Sequence, residues 1–473
     1  MRKKIVSGFL WKFGEQISSQ LVSFVLSIIL ARLLTPEDYG VVALINIFIL
    51  IANVFVVSGF GAALIQKENS DETDFSTMFY LSEIMSVIIY VIIYILAPLI
   101  AKFYANPAMT LILRIFALQL PISAFNGIQQ AYISKHLMFK KVFVSTTISA
   151  ILSGIIGVIF AYNGFGVWAL IGQYLSNTVI ISMTLALQVK WYPQLKFSWK
   201  AGKPLVDYGW KILVTSLLGQ FFNELRSLIL GKVYTTSALA YYNRGLQFPE
   251  LFSNNVNNTI SGVLFPVLSE YGNDFARVKF GLRRAIRMST FILMPILFGL
   301  IVTSREIILL LLTEKWIKAV PFMQILCLSC IFDTVSNENT QALKAIGKSD
   351  TLLKLELVKK LIYLILLIVG IEINIFAVAV TMVVYNIIAV FINMAPNKKF
   401  LNYSFKEQLQ DMMSALFASI LMSIIVYAIG RHISLHVFAT LVIKVLCGIL
   451  IYLMIAFVFR MKALKEILDY KSA

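Results

Sequence analysis

Charge is scarce in this chain. Only 14% of its 473 residues are Asp, Glu, Lys or Arg, while 59% are hydrophobic. A soluble domain is about a quarter charged and near half apolar, so no water-exposed surface could absorb this many Leu, Ile, Val and Phe. Three cysteines provide no disulfide framework. Two of them, in Cys327-Leu328-Ser329-Cys330, fall inside a predicted apolar helix and pack there as small apolar residues rather than as a redox pair. Histidine is nearly absent, at three residues. His432 and His436 stand one helical turn apart near a short loop, but two ligands make a poor metal site. No metal and no cofactor is expected. A nucleophile–base–acid constellation is missing, so the chain does not read as an enzyme. Acidic residues are outnumbered, 24 against 41 Lys and Arg, giving a net charge of +17. In so apolar a chain that excess marks cytoplasmic loops rather than a nucleic-acid partner.

What is present is a succession of long apolar runs, with no polar stretch long enough for a separate soluble domain. A spanning helix needs about 20 apolar residues. Fourteen such segments fit, near 9–34, 40–65, 75–101, 109–133, 141–162, 166–189, 208–233, 245–268, 285–312, 319–343, 352–371, 373–395, 410–430 and 435–459. Turn residues separate them, as in Thr35-Pro36-Glu37-Asp38, Asn106-Pro107, Asn163-Gly164 and Pro396-Asn397. The longest polar connection is 190–207, rich in Lys. Internal Pro98, Pro121, Pro249, Pro266 and Pro295 should kink their helices, since proline lacks a backbone donor. Met1-Arg2-Lys3-Lys4 looks like the start of a signal peptide, but Glu15, Gln16 and Gln20 interrupt the apolar core, so an uncleaved first helix is expected. With the N-terminus in the cytoplasm, 30 of the 41 Lys and Arg fall on cytoplasmic segments and 11 on the rest. That asymmetry supports the span count and the orientation of a multi-pass membrane protein with both termini cytoplasmic.

The first and seventh helices echo one another. Trp11-Lys12 returns as Trp210-Lys211, and Leu30-Ala31-Arg32-Leu33-Leu34-Thr35 as Leu230-Gly231-Lys232-Val233-Tyr234-Thr235. Gln16, Gln20, Ser23 and Ser27 correspond to Ser216, Gln220, Asn223 and Ser227, each set spaced 4, 3, 4 along one helical stripe. Gly166-Val167-Trp168-Ala169-Leu170 has a weaker counterpart in Asn374-Ile375-Phe376-Ala377-Val378. The expected architecture is all-α, with two pseudo-symmetric six-helix lobes, 1–203 and 204–400, and two extra helices with a tail over 401–473. Parallel repeats of this kind place a substrate path between lobes. Ser and Gln on such stripes also serve ordinary helix packing.

Charge at membrane depth costs about 2.5–3.5 kcal/mol per residue on insertion scales and marks functional candidates. Well inside the predicted spans lie Glu15, Glu83, Arg114, Glu224, Arg226, Asp333, Glu338 and Lys444. Arg32, Lys232 and Arg244 sit near helix ends, where they can snorkel to water. Cations in a cavity suit an anionic, phosphate-bearing substrate. The substrate-binding candidates are therefore Arg226, Arg114, Arg32, Arg244, Gln20, Gln220 and Asn223. Acids could carry protons or Na⁺, and the candidates are Glu15, Asp333 and Glu224. Ala342-Leu343-Lys344-Ala345-Ile346-Gly347-Lys348-Ser349 has the tail of a phosphate loop but not its first Gly or its strand, so ATP binding is not expected.

Several strings give the chain a family likeness. They are Leu30-Ala31-Arg32-Leu33-Leu34-Thr35-Pro36-Glu37-Asp38-Tyr39-Gly40, Gly61-Ala62-Ala63-Leu64-Ile65-Gln66, Gly166-Val167-Trp168-Ala169-Leu170, Tyr241-Tyr242-Asn243-Arg244, Leu264-Phe265-Pro266-Val267-Leu268-Ser269 and Lys315-Trp316-Ile317-Lys318-Ala319-Val320-Pro321. Over roughly residues 5–400 the chain resembles the polysaccharide exporters of the multidrug/oligosaccharidyl-lipid/polysaccharide flippase superfamily. The likeness is strongest to the teichuronic and colanic acid exporter type, that is, Wzx-like oligosaccharide flippases. One position departs, since Arg226 stands five before Gly231 where the family often has an acid. The resemblance implies a V-shaped two-lobe fold working by alternating access. It implies a polyprenyl-pyrophosphate-linked oligosaccharide as substrate, the bacterial cytoplasmic (inner) membrane and its lipids as surroundings, and a polysaccharide polymerase and chain-length regulator as partners. By analogy with a lipid-linked precursor flippase, 410–430 and 435–459 would form a lipid-tail groove with Lys444 near its head-group end. The competing readings are a drug/cation antiporter of the same superfamily, a membrane polysaccharide polymerase, and a structural scramblase partner. The antiporter calls for a more acidic cavity, and the polymerase for a large outer loop with Arg residues.

Overall fold

Helices account for 89% of the chain, and no strand occurs among the described residues. The computed structural model describes residues 2–68, 70–189, 191–272, 274–432 and 435–471. Met1, part of the signal-peptide reading, and Lys190, counted in the charge reading, lie outside the described residues. The first half comprises α1 (Arg2–Leu33), α2 (Pro36–Val57), α3 (Phe60–Gln66), α4 (Glu72–Phe103), α5 (Met109–Phe116), α6 (Gln119–Lys135), α7 (Phe139–Tyr162), α8 (Val167–Val189) and α9 (Trp199–Val233). There follow α10 (Thr236–Glu270), α11 (Phe275–Leu311), α12 (Val320–Ala345), α13 (Ser349–Ile373), α14 (Ile375–Leu401), α15 (Phe405–His432), α16 (Val437–Val458) and a short α17 (Lys462–Lys471). Among the described residues eleven stretches are long and apolar enough to cross a bilayer. The protein is an all-α polytopic membrane protein. The long helices outside those eleven, α9, α10 and α13, carry polar or charged side chains spread along their length, such as the run Asn254-Asn255-Val256-Asn257-Asn258 of α10.

Two segments read as single helices are each broken. Between α2 and α3 the chain turns at Gly59, whose φ is +97°. A Cβ on Gly59 would also lie 2.4 Å from the carbonyl oxygen of Gly209, so glycine serves both the left-handed turn and the close approach of α9. Between α5 and α6 the break falls at Ala117-Leu118. Pro121 lies four residues after Ala117 and has no N–H for that carbonyl, which instead accepts from Leu120 at 3.0 Å. Pro98, Pro249, Pro266 and Pro295 are all accommodated inside continuous helices.

The repeat has a local structural counterpart. Thr35 caps α2 by accepting from the Asp38 N–H, and Asp38 closes a capping box. Two hundred residues on, the Thr235 hydroxyl accepts from the Ala238 N–H at 3.2 Å at the start of α10.

By its contacts the chain divides into two compact units, Met1–Ala240 and Tyr241–Ala473. In the first, α7 packs against α1 and α8, α6 packs against α4 and α8, and α9 packs against α2, α3 and α4. The polar connection after α8 is fastened down. Trp191 is buried beside Phe75, and its indole N–H donates to Glu72 at 2.9 Å. The backbone N–H groups of Gln194 and Ser198 donate to the Ser76 and Thr77 hydroxyls.

In the second unit α11 packs against α12, α15 and α16. α12 and α14 share a ladder of amides. Asn386 donates to the Ser329 hydroxyl (2.8 Å), Asn393 to that of Ser336 (2.7 Å) and Asn397 to the Asn339 side-chain oxygen (2.8 Å). Each amide also reaches the backbone carbonyl of its partner residue. Without a hydrophobic force between helices in lipid, such bonds contribute about 0.6 kcal/mol each.

Candidate functional site

In the first unit the candidates lie on α1, α5 and α9. Glu15 is engaged locally, pairing with Lys12 at 2.6 Å. Gln20 on α1 is half-buried, and Arg32 near the end of the same helix is exposed. On α9, Gln220 donates to Glu224 at 3.0 Å, which joins a substrate candidate to an ion-coupling candidate. Asn223 is exposed and Arg226 half-buried on the same helix. Arg114 on α5 donates from Nε to the Tyr94 carbonyl (3.1 Å) and stacks over the Tyr94 ring at 4.1 Å. An apolar groove of about 460 Å³ opens between α2, α4 and α9, lined by Phe48, Leu99, Tyr104 and Leu228. Lys232 closes it, bonded to the Phe103 carbonyl with its ammonium 4.3 Å from the Phe103 ring.

In the second unit Arg244 corrects an expectation. It does not reach out to water but is buried, donating to Gln247 at 2.5 Å and lying 5.3 Å from the centroid of the fully buried Trp316. Aromatic faces attract guanidinium groups, and that holds it inside. Asp333 accepts from Asn257 of α10 at 3.3 Å. Around that bond a polar seam runs between α10 and α12. Ser253 meets Thr334, and Ser261 accepts from Asn337 (2.9 Å) and Gln341 (3.1 Å). None of these partners was singled out from sequence, although the asparagine run of α10 was a visible signal.

Lys444 on α16 is buried and pairs with Glu306 of α11 at 2.5 Å. The sequence reading missed Glu306, an acid six residues from the end of its predicted span. A buried ammonium needs a carboxylate or it neutralises, so the pair explains how α16 carries a charge. The pair borders an apolar cavity of about 370 Å³ lined by Phe252, Pro295, Met422, Val426, Gly448 and Tyr452. Glu338 is fully buried in α12, the helix that carries Asp333.

The weaker motifs resolve as structure. Cys327 and Cys330 are free and buried. Gly347, at φ +72°, makes the turn from α12 into α13. His436 caps α16, accepting from the Phe438 N–H. Among the described residues no cluster of three or more His, Cys, Asp or Glu could hold a metal ion.

A family model described as polysaccharide biosynthesis protein matches residues 29–321, more than half of the chain. The chain belongs to the polysaccharide biosynthesis protein family. The chain is similar to the teichuronic acid biosynthesis protein TuaB of Bacillus subtilis, 25% identical, the match covering 95% of each chain. The lipopolysaccharide biosynthesis protein WzxC of Escherichia coli is 21% identical over 91% of this chain and 88% of its own. The fold of this family member matches lipid II flippase MurJ in an inward closed conformation (TM-score 0.78, 17% identity, 95% of this chain and 98% of that one). It also matches an inward-facing multidrug resistance MATE family transporter of the MOP superfamily (TM-score 0.63, 14% identity, 81% and 94%).

Proposed function

We propose that this protein flips polyprenyl-pyrophosphate-linked oligosaccharides across the cytoplasmic membrane for surface polysaccharide synthesis, by alternating access of two six-helix lobes. The observation that carries the reading is the apolar cavity between α10, α11, α15 and α16, with the Lys444–Glu306 pair at its edge. An isoprenoid tail is a long run of apolar, methyl-branched units and suits such a slot, while a pyrophosphate suits a cationic neighbourhood. The family membership and the relatives' names support a saccharide cargo. In this reading Arg226, Arg114, Arg32 and Arg244 meet the pyrophosphate, Gln20, Gln220 and Asn223 meet the sugars, and Lys444 marks the lipid groove. Glu15, Asp333 and Glu224 are the groups available for ion coupling.

A driving force exists without ATP. Two negative charges leaving a negative cytoplasm gain about 4.6 kcal/mol per 100 mV if they cross the whole field uncompensated. The test is a vesicle flipping assay with a polyprenyl-pyrophosphate-linked oligosaccharide, an imposed potential and no ion gradient. Flipping should quicken as the donor side becomes negative, and Arg226→Ala should abolish it. Export undiminished in that variant would remove Arg226 from the site. No flipping with or without a potential or an ion gradient would end the proposal.

A further inference from the structure

We infer that the second unit carries a binding site for the phosphate head of an anionic membrane lipid, at the junction of α11, α15, α16 and α17. The site is a cavity of about 390 Å³ whose lining includes Arg283, Arg287, Arg460 and Lys462, with Phe417 and Phe459 at its apolar side. It lies beyond the slot proposed for the carrier's tail, and it rests on the membrane embedding rather than on the flippase reading.

Its charge is unbalanced. One carboxylate, Asp411, lines the cavity, and it is already saturated. It accepts from Arg283 at 2.7 Å and 3.2 Å, from Arg287 at 3.3 Å and from the buried Tyr403 hydroxyl at 2.7 Å. Burial and the neighbouring Asp411 raise the Tyr403 phenol well above its ordinary pKa, so it stays a donor. Glu407 and Glu466 bind the outer sides of Arg283 and Arg287. These carboxylates orient the two guanidiniums, yet the Nε–H of Arg287 remains buried without a hydrogen-bond partner among the described residues. Arg460 and Lys462 form no ion pair among the described residues.

The backbone holds Arg460 in place at some expense. It takes the left-handed conformation, φ +46°, in the turn from α16 to α17, a position that favours glycine. The turn closes through Met461 N–H to the Ala456 carbonyl at 3.0 Å. α17 then begins at Lys462, directly after an apolar residue that offers no oxygen to cap its first N–H groups. Phe417 and Phe459 are 55% and 62% exposed, the condition of side chains that face acyl chains. Cations and exposed aromatic carbon lining one cavity match a lipid at the bilayer interface, where basic pockets between helices hold phosphate heads.

The test uses the full-length protein in neutral detergent, titrated with phosphatidylglycerol, phosphatidylcholine or a polyprenyl phosphate and read by native mass spectrometry. Phosphatidylglycerol or polyprenyl phosphate should form a one-to-one adduct, and phosphatidylcholine should not. The stronger of the two adducts says whether a bulk lipid or a carrier is the natural occupant. The Arg460→Ala/Lys462→Ala variant should bind about 25-fold more weakly, about fivefold per charge. Lys196→Ala/Lys200→Ala, which removes two exposed charges elsewhere, should bind as the parent does, and thermal unfolding shows whether either pair folds. Equal loss in both pairs would reduce the effect to general charge and overturn the site. So would equal binding of phosphatidylcholine, an unchanged affinity in the Arg460/Lys462 variant, or displacement of the lipid by excess inorganic phosphate.

Discussion

A single ammonium inside a membrane helix is tolerated because of one carboxylate far away in sequence. Lys444 and Glu306 are 8% and 14% exposed as side chains and 138 residues apart. Lys444→Met strands Glu306 and should cost about 3 kcal/mol, seen as a lowered unfolding temperature in detergent. Adding Glu306→Gln should return most of that loss, since replacing both partners removes the uncompensated charge. Gly59 and Gly209 make a second residue-scale prediction. Gly59→Ala sets a methyl 2.4 Å from the Gly209 carbonyl and at a positive φ, so about 2–4 kcal/mol of stability should go, measured the same way. At this scale the sequence was half legible. Insertion cost alone flagged Lys444 and Asp333 as unusual, while Arg244, near a helix end, was expected to snorkel to water. Their partners Glu306, Asn257 and Trp316 lie tens of residues or more away, and no local pattern encodes such a pairing.

At the scale of elements, long apolar runs are legible because a bilayer demands a minimum length and satisfied backbone groups. The helix edges near Pro36, Asn163 and Asn374 follow from capping and turn chemistry alone. The breaks at Gly59 and Ala117 were not read. Glycine and proline occur inside many unbroken helices, and Pro98 and Pro295 leave theirs continuous. What decides at Gly59 is the tertiary approach of α9, which periodicity cannot report. The connection after α8 was similarly read as a polar link, yet Trp191 and the hydroxyls of Ser76 and Thr77 tie it to α4. The amide ladder of α12 and α14 gives the test at this scale. Asn393→Ala leaves the Ser336 and Thr340 hydroxyls short of a donor and should cost about 1 kcal/mol in thermal unfolding. Asn393→Ala combined with Asn386→Ala should cost more than either change alone.

For the whole molecule, the uneven sorting of Lys and Arg is the feature with consequences for insertion. Thirty cations on one set of segments and eleven on the other predict the side of every turn. Cysteine placed at Lys348 should react with an impermeant maleimide only from the cytoplasm, and cysteine at Asn163 only from outside. Cys327 and Cys330 are buried and silent, and Cys447→Ser clears the background. Reaction of both sites from one side would refute the assigned orientation. The asparagine ladder bears on any cycle of motion. Its rungs on α12 are spaced 7 and 3, those on α14 7 and 4. Slipping α14 back by four residues of α12 would bring its three amides opposite Ile325, Phe332 and Val335, which have no side-chain oxygen to accept them. The pair therefore works as a key cut for one lock position: the ladder favours these two helices moving as a single bar, so that any larger motion of this unit would bend it somewhere else.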